Sequence, residues 1–336
     1  MFILGLNGLT YEKFSSVSEN INWGGYIFYP STKGKDLYRN IKRPEQLKKL
    51  LAGIKGLQND PRIKPFLAVD LEGGNIKIIL RREAGFPFFA APRTIARKKG
   101  LKQTSAWGNK IAGFLGKMGF NTNLAPVVDV DRPAGDNKRL FSSDPEVVMK
   151  NARIFIAENH KKGIICTLKH FPGRSSGRKV DIEKNYSAAR DQRPFQGLLA
   201  NGFSDIVMVS TVEFPKLDKA RPAFLSKKII DRLRYGLNFQ GVIMTDDLSF
   251  IFTKPKQQDL ERTIIEAINA GNDLLLFANN GRYDPQLANK LKKALYSILR
   301  NEKISEGRIE ESFVRILELK KKYGIEPKDI YLNYKI

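Results

Sequence analysis

Short apolar runs alternate along this chain with longer stretches that are apolar on one side only. The runs are Phe2–Leu6, Gly25–Tyr29, Phe66–Asp70, Asn123–Val130, Ile164–His170, Ile206–Thr211, Gly241–Thr245 and Asp273–Phe277. Each is rich in Val, Ile, Leu or Phe and lacks a clean polar alternation. That is the signature of strands covered on both faces. The stretches between them follow a helical period. Pro44–Leu57 places Leu47, Leu50, Leu51 and Ile54 on one stripe, and Gln103–Met118 does the same with Trp107, Ile111, Phe114 and Leu115. Ser226–Leu237, with Ser226 as N-cap, Gln258–Ala270, Asp284–Arg300 and Ser305–Tyr323 complete the set.

Eight strands alternating with helices predict a parallel sheet, because parallel neighbours need a crossover. The reading is an α/β, (β/α)8 TIM-type barrel, one domain over residues 1–336, with an extra C-terminal helix. An open doubly wound sheet is the alternative. No Gly-x-Gly-x-x-Gly follows the first strand, which argues against a dinucleotide-binding version.

Composition narrows the classes. With 336 residues and 42% hydrophobic content, a sizeable core can form and a wholly disordered chain is excluded. No apolar run is long enough to span a membrane as a helix, and the opening Met1–Phe14 reads as a first strand rather than a signal peptide. A cytoplasmic monomer is therefore expected. Cys166 is the only cysteine and the histidines are His160 and His170, so a disulfide or a Cys/His metal centre is not expected. No cofactor is expected either. Lys and Arg number 58 against 35 Asp and Glu, a net charge of +23. Such a field attracts polyanions. With no basic tail and no nucleic-acid motif, it reads as a solvated surface bias, and no specific nucleic-acid partner is expected.

In a barrel, chemistry gathers at the C-terminal ends of strands. Strand three ends at Asp70, followed by Leu71-Glu72-Gly73-Gly74. The fourth leads to Asp129, Asp131 and Arg139. The fifth ends Lys169-His170-Phe171-Pro172-Gly173, the sixth Ser210-Thr211, the seventh Thr245-Asp246-Asp247. Singly, each reads as a cap, a turn or a surface group. Together, carboxylates with Lys, Arg and His suit a hydroxyl-rich ligand, and a carboxylate such as Asp246 can attack an anomeric carbon. A Schiff-base role for Lys169 is a rival reading; it requires a depressed lysine pKa.

Five segments, in order, resemble motifs of glycoside hydrolase family 3. Asp70-Leu71-Glu72-Gly73-Gly74 is similar to its DQEGG, and Lys169-His170-Phe171-Pro172-Gly173 matches its KHFPG. Arg139-Leu140-Phe141-Ser142-Ser143-Asp144-Pro145, Arg221-Pro222-Ala223-Phe224-Leu225-Ser226 and Gly241-Val242-Ile243-Met244-Thr245-Asp246-Asp247-Leu248 resemble three more. The branch with the greatest likeness is that of single-domain β-N-acetylhexosaminidases acting on peptidoglycan fragments. The resemblance implies a retaining hydrolase with a covalent glycosyl-enzyme intermediate. Asp246 matches the nucleophile, and Asp70, Arg139, Lys169 and His170 match the residues holding the innermost sugar. Asp247 reads as an N-cap for the next segment. The implied partner is a carbohydrate, including anionic muropeptide-type sugars.

The chain departs from that pattern in three places. The loop after KHFPG normally carries an Asp–His pair as acid/base; here it runs Arg174-Ser175-Ser176-Gly177-Arg178-Lys179-Val180-Asp181-Ile182-Glu183. Asp181 falls on the family Asp and Glu183 on the family His. Asn75 stands where Arg is common, and Thr211 where His is common. Two readings follow for the loop: Glu183, with Asp181 beside it, serves as acid/base, or the sugar pocket persists without efficient turnover. A β-glucosidase-like specificity and a polyanion-binding surface protein are the further alternatives.

Overall fold

The computed structural model describes residues 1–18, 21–31, 38–57, 64–74, 85–98, 100–133, 135–174, 182, 185–249, 259–281 and 283–325. In chain order the strands are β1 (Phe2–Leu4), β2 (Gly25–Phe28), β3 (Phe66–Val69), β4 (Thr122–Asn123), β5 (Ile165–Phe171), β6 (Ile206–Val209), β7 (Glu213–Phe214), β8 (Asp218–Pro222), β9 (Val242–Thr245) and β10 (Leu275–Phe277). Eight of them form one parallel sheet in the order β10-β1-β2-β3-β4-β5-β6-β9. A parallel bridge between Met244 and Leu274 brings β9 against β10 and closes the ring. The expected barrel is therefore the observed fold.

Period-two geometry explains the uniformly apolar strands. Ile3, Ile27, Phe66, Ala68, Ile206, Met208, Val242 and Met244 pack on one another inside the barrel. Their neighbours Phe2, Leu4, Tyr26, Phe28, Leu67, Val69, Val207, Val209 and Ile243 pack outward on the helices. Both faces are dry, so no polar alternation appears in the sequence.

Two elements differ from expectation. The fourth strand stops at Asn123 instead of running to Val130. Pro126 has no N–H to offer a ladder, and the chain continues beside β5 through single bonds, Thr167 N to Ala125 O and Val128 N to Lys169 O, both 2.9 Å. Ser226–Leu237 splits into an α-helix, Lys227–Asp231, and a π turn, Arg232–Gly236. The turn carries Arg234 inward, where it donates to Gly241 O at 2.9 Å and Asp273 Oδ2 at 2.8 Å. Ser226 is the N-cap, accepting from Ile229 N. The sequence did not announce the β7–β8 hairpin or the helix Pro145–His160, which Asp144 caps.

The last helix, Glu306–Lys322, covers the N-terminal ends of the strands, and its Ile316 and Leu319 join the barrel interior. Two buried carboxylates hold it. Asp273 accepts from Ser312 Oγ at 2.8 Å and Arg315 at 3.1 Å. Asp205 accepts from Lys322 and Tyr323, each at 2.7 Å, and pairs with His160 at 2.7 Å. No helix among the described residues is long and apolar enough to cross a membrane.

Candidate active site

A cavity of about 250 Å³ opens at the C-terminal mouth. Asp70, Arg139, Lys169, His170 and Asp246 all line it, with Tyr29, Arg174, Thr211, Asp247 and Asn280. Lys169 and His170 lie in the last part of β5, and the others follow the ends of β2, β3, β4, β5, β6, β9 and β10. A residue just past a strand's last ladder bond keeps the strand's fixed position while its side chain turns toward the mouth.

Beneath the cavity lies an ion-pair network centred on Glu72, which is 2% exposed. Arg139 donates to Glu72 through Nε at 2.9 Å and a terminal nitrogen at 2.8 Å, a two-pronged pair. Lys169 Nζ lies 2.6 Å from Glu72 Oε1 and also donates to Asp70. Burial alone would raise the Glu72 pKa, but the charges of Lys169 and Arg139 outweigh it and hold the carboxyl well below the usual range. For Lys169, burial pulls downward, and Asp70 and Glu72 overcome it, so the ammonium is held more firmly than normal. That direction is opposite to what a Schiff-base lysine needs, and the rival reading of Lys169 is set aside.

Gly73 makes this placement possible. Its φ is +82°, and a Cβ there would sit 2.3 Å from Ala90 O. The turn that lowers Glu72 beneath the cavity therefore requires glycine.

His170 is fixed by Asp129. The ring Nδ1 lies 2.7 Å from Asp129 Oδ2, and the His170 backbone N donates to Oδ1 at 3.0 Å. A carboxylate only accepts, so Nδ1 carries a proton. Asp129 Oδ1 also accepts from Arg174 N at 2.7 Å, tying down the start of the loop after Gly173.

Asp246 follows β9 directly. Its backbone N donates to Val209 O at 2.8 Å, and its Oδ1 accepts from Asp247 N at 2.8 Å. Arg174 stands 3.7 Å from Oδ2. Burial raises its pKa, yet the charges of His170, Arg174 and Lys169 with the Asp247 amide bring it below the ordinary value. Asp247 behaves oppositely. Its Oδ1 accepts from Ser249 N and Oγ, as expected of a cap, and also from Ala278 N at 2.8 Å. Burial is the main cause that pushes its pKa up to about 6.

Glu183, Asp181 and Asn75 lie outside the described residues. The described ends of the loop are anchored beside the site. Arg174 lines the cavity, and Tyr186 donates to Pro172 O at 3.5 Å while Gln192 donates to Tyr186 at 2.6 Å. The other histidine, His160, sits at the far end of the barrel with Asp205.

Sequence reasoning assigned no role to Glu72, Asp129 or Arg174. Glu72 was visible as an acid inside a glycine turn, and Asp129 as an acid inside an apolar run. Arg174 carried no signal, since its approach to Asp246 is purely spatial.

The class in view is a parallel barrel with a small pocket at its C-terminal mouth, ringed by carboxylates and cations. The sequence profile described as "Glycosyl hydrolase family 3 N terminal domain" matches residues 19–319. The "Beta-hexosaminidase" of Tolumonas auensis is 32% identical over 269 residues, covering 75% of this chain and 77% of that protein. The "Beta-hexosaminidase A" of Pseudoalteromonas piscicida is 28% identical over 314 residues, covering 84% of this chain. This chain spans about half of that protein's length, 52%. A glycoside hydrolase family 3 β-N-acetylglucosaminidase from Paenibacillus sp. has the same fold, with a TM-score of 0.79 at 24% identity over 99% of this chain and 63% of that one. The chain belongs to glycoside hydrolase family 3. It is a glycosidase of β-hexosaminidase-like kind.

Proposed function

We propose that this chain removes terminal β-linked N-acetylglucosamine, or a related β-hexosamine, by a retaining mechanism. The observation that carries the reading is the convergence of Asp246 with Asp70, Arg139, Lys169 and His170 around one cavity of about 250 Å³. That is below the ~300 Å³ at which pockets for drug-sized ligands begin, and suits a single sugar ring. The β-hexosaminidase names of the relatives agree with an amino sugar as substrate.

In this reading the Asp70 carboxylate accepts from sugar hydroxyls, while Lys169, Arg139 and His170 donate to them. The Asp246 carboxylate attacks the anomeric carbon as the bond to the leaving oxygen breaks, giving a glycosyl ester. A proton must reach that oxygen in the same step. Water then attacks the anomeric carbon, a base takes its proton, and the ester bond to Asp246 breaks. Glu183 is the proposed acid and then base, with Asp181 beside it. Arg174 and Tyr186, on either side of these residues in the chain, are anchored to Asp129 and Pro172. Peptidoglycan-derived sugars are the proposed source of substrate, and the basic residues along this loop suit their carboxylates.

The test is a panel of nitrophenyl glycosides, with β-N-acetylglucosaminide and β-glucoside, and a natural disaccharide. Asp246→Asn should abolish the covalent intermediate seen by mass spectrometry and lower kcat by at least about 10³-fold, because an amide is not an anionic nucleophile. Unchanged turnover rejects the role. Glu183→Gln should spare glycosylation with dinitrophenyl leaving groups and cripple disaccharide cleavage, with azide restoring deglycosylation. Intact disaccharide cleavage moves the assignment to Asp181. Binding of N-acetylglucosamine without any turnover favours a sugar-binding protein that has lost catalysis.

A further inference from the structure

The barrel closes at β9 and β10, yet these strands share one backbone bridge, Met244–Leu274. Toward the mouth, side chains take over from the ladder. Thr245 Oγ1 accepts from Leu276 N at 3.0 Å, Asp247 Oδ1 from Ala278 N at 2.8 Å, and Ser249 Oγ from Asn279 N at 2.7 Å. The first acceptor ends β9, and the other two belong to the turn that follows it. Asp246 falls between two of them and lines the cavity. Ser249 Oγ also donates to Asp247 Oδ1 at 2.6 Å, so two of the three stitches are coupled.

Asp246 is thus suspended between two neighbours by different means. On the β6 side a backbone bond, Asp246 N to Val209 O, holds it. On the β10 side the last backbone bond is Thr245 N to Leu274 O at 3.0 Å, and from there toward the mouth the residues flanking Asp246 reach across through the side chains of Thr245 and Asp247. The same Asp247 supplies the amide that orients Asp246 Oδ1. A carboxylate that must attack carbon has to lie within about 3–3.5 Å of it, and a 1 Å displacement costs roughly 10²-fold in rate.

We infer that Asp247, with Thr245 and Ser249, is a positioning group: the side-chain seam to β10 sets where the Asp246 carboxylate stands in the cavity. The inference rests on the proposed role of Asp246. It also gives a reason for the residues around Asp246 in Thr245-Asp246-Asp247-Leu248-Ser249. Asp247 accepts from Ser249 N, the bond a cap would make, and the bond to Ala278 adds a second duty.

Two pairs of variants test this on whichever panel glycoside the native chain turns over. Thr245→Val keeps the shape and removes the acceptor, while Thr245→Ser keeps the acceptor. Asp247→Ala removes the acceptor, and Asp247→Asn keeps an oxygen there. Thr245→Val and Asp247→Ala should lower kcat by roughly 10–100-fold with KM changed by less than about threefold. The Ser and Asn variants should recover most of kcat. In Asp247→Ala the Ala278 amide should exchange hydrogen faster than in the native chain. Ser226→Ala, which loses a helix cap away from this seam, serves as the stability control.

The positioning role is overturned if kcat falls no further than in the control, if Ala and Asn at 247 behave alike, or if Ala278 exchange quickens while kcat stays. Should Asp247→Ala fail to fold, the isosteric Thr245→Val decides the matter alone. Full turnover in Asp246→Asn removes the nucleophile reading and the inference with it, whereas faster Ala278 exchange at unchanged kcat removes the inference alone. No turnover of any panel glycoside sinks both.

Discussion

Glu72 never reaches the cavity surface, yet two cavity cations depend on it. Arg139 and Lys169 both bond to its carboxylate, and both are part of the lining. Replacing one partner of a buried ionic network leaves the others uncompensated. Glu72→Gln should therefore lower stability by about 3 kcal/mol, read from urea unfolding. The pH dependence has a definite sign. A carboxyl whose folded pKa is depressed stabilises the native state above its unfolded value, ~4.3, and that contribution is lost as pH falls toward the folded value. The native chain should lose stability steadily below about pH 4.5, and Glu72→Gln should lose much less over the same range. The depressed pKa of Asp246 gives a kinetic counterpart. If its anion is the nucleophile, kcat/KM should stay high down to below the ordinary aspartate value of 3.8, wherever the protein remains folded. An acidic limb above 5 that follows Asp246 would contradict its place beside His170, Arg174 and Lys169.

Elements carry these residues to the mouth, and small caps decide where the elements begin. Ser226 Oγ accepts from Ile229 N at 3.2 Å and donates to Asp218 Oδ2 at 2.6 Å, joining a helix start to strand β8. Ser226→Ala should cost about 1–2 kcal/mol by shifting the urea midpoint at unchanged slope, with KM untouched. The β7–β8 hairpin has a related task. Phe214 meets the Tyr186 ring edge-on at 5.2 Å, and Lys216 Nζ donates to Tyr186 O at 3.0 Å. An element that the sequence did not announce thus braces the described return of the loop carrying Asp181 and Glu183. Its strands are too short, and its contacts too distant in sequence, for periodicity to reveal it.

At the scale of the whole molecule, two further buried carboxylates lie at the end of the barrel opposite the cavity, where they hold the last helix. Asp273 gathers Arg234, Arg308, Arg315 and Ser312 at the closed end. Asp205 gathers His160, Lys322 and Tyr323 there. Asp273→Ala leaves three arginines without their shared partner and should cost about 3–5 kcal/mol. Because that end faces away from the cavity, kcat per folded molecule, measured well below the midpoint of unfolding, should stay within about twofold. A matching loss in kcat would mean that the two ends are coupled through the strands.

The positions of seven of the eight barrel strands followed from the order of residues alone, while the fourth stops at Asn123 instead of running to Val130. A strand buried on both faces must be apolar throughout, and parallel neighbours need a crossover between them, so the alternation of runs and stripes dictates a parallel α/β sheet, and the bridge from Met244 to Leu274 decides that it closes into a barrel. The site candidates Asp70, Arg139, Lys169, His170 and Asp246 were legible for the same reason, since the end of a strand is a place that sequence can locate. What the chain order could not express is which groups meet. Glu72 under Arg139, Asp129 behind His170, Arg174 beside Asp246 and Asp247 across to Ala278 join residues from 31 to 72 positions apart. Ion pairs and side-chain hydrogen bonds are contacts of a few ångströms. They have no period along the chain, and only closure of the barrel brings their partners together.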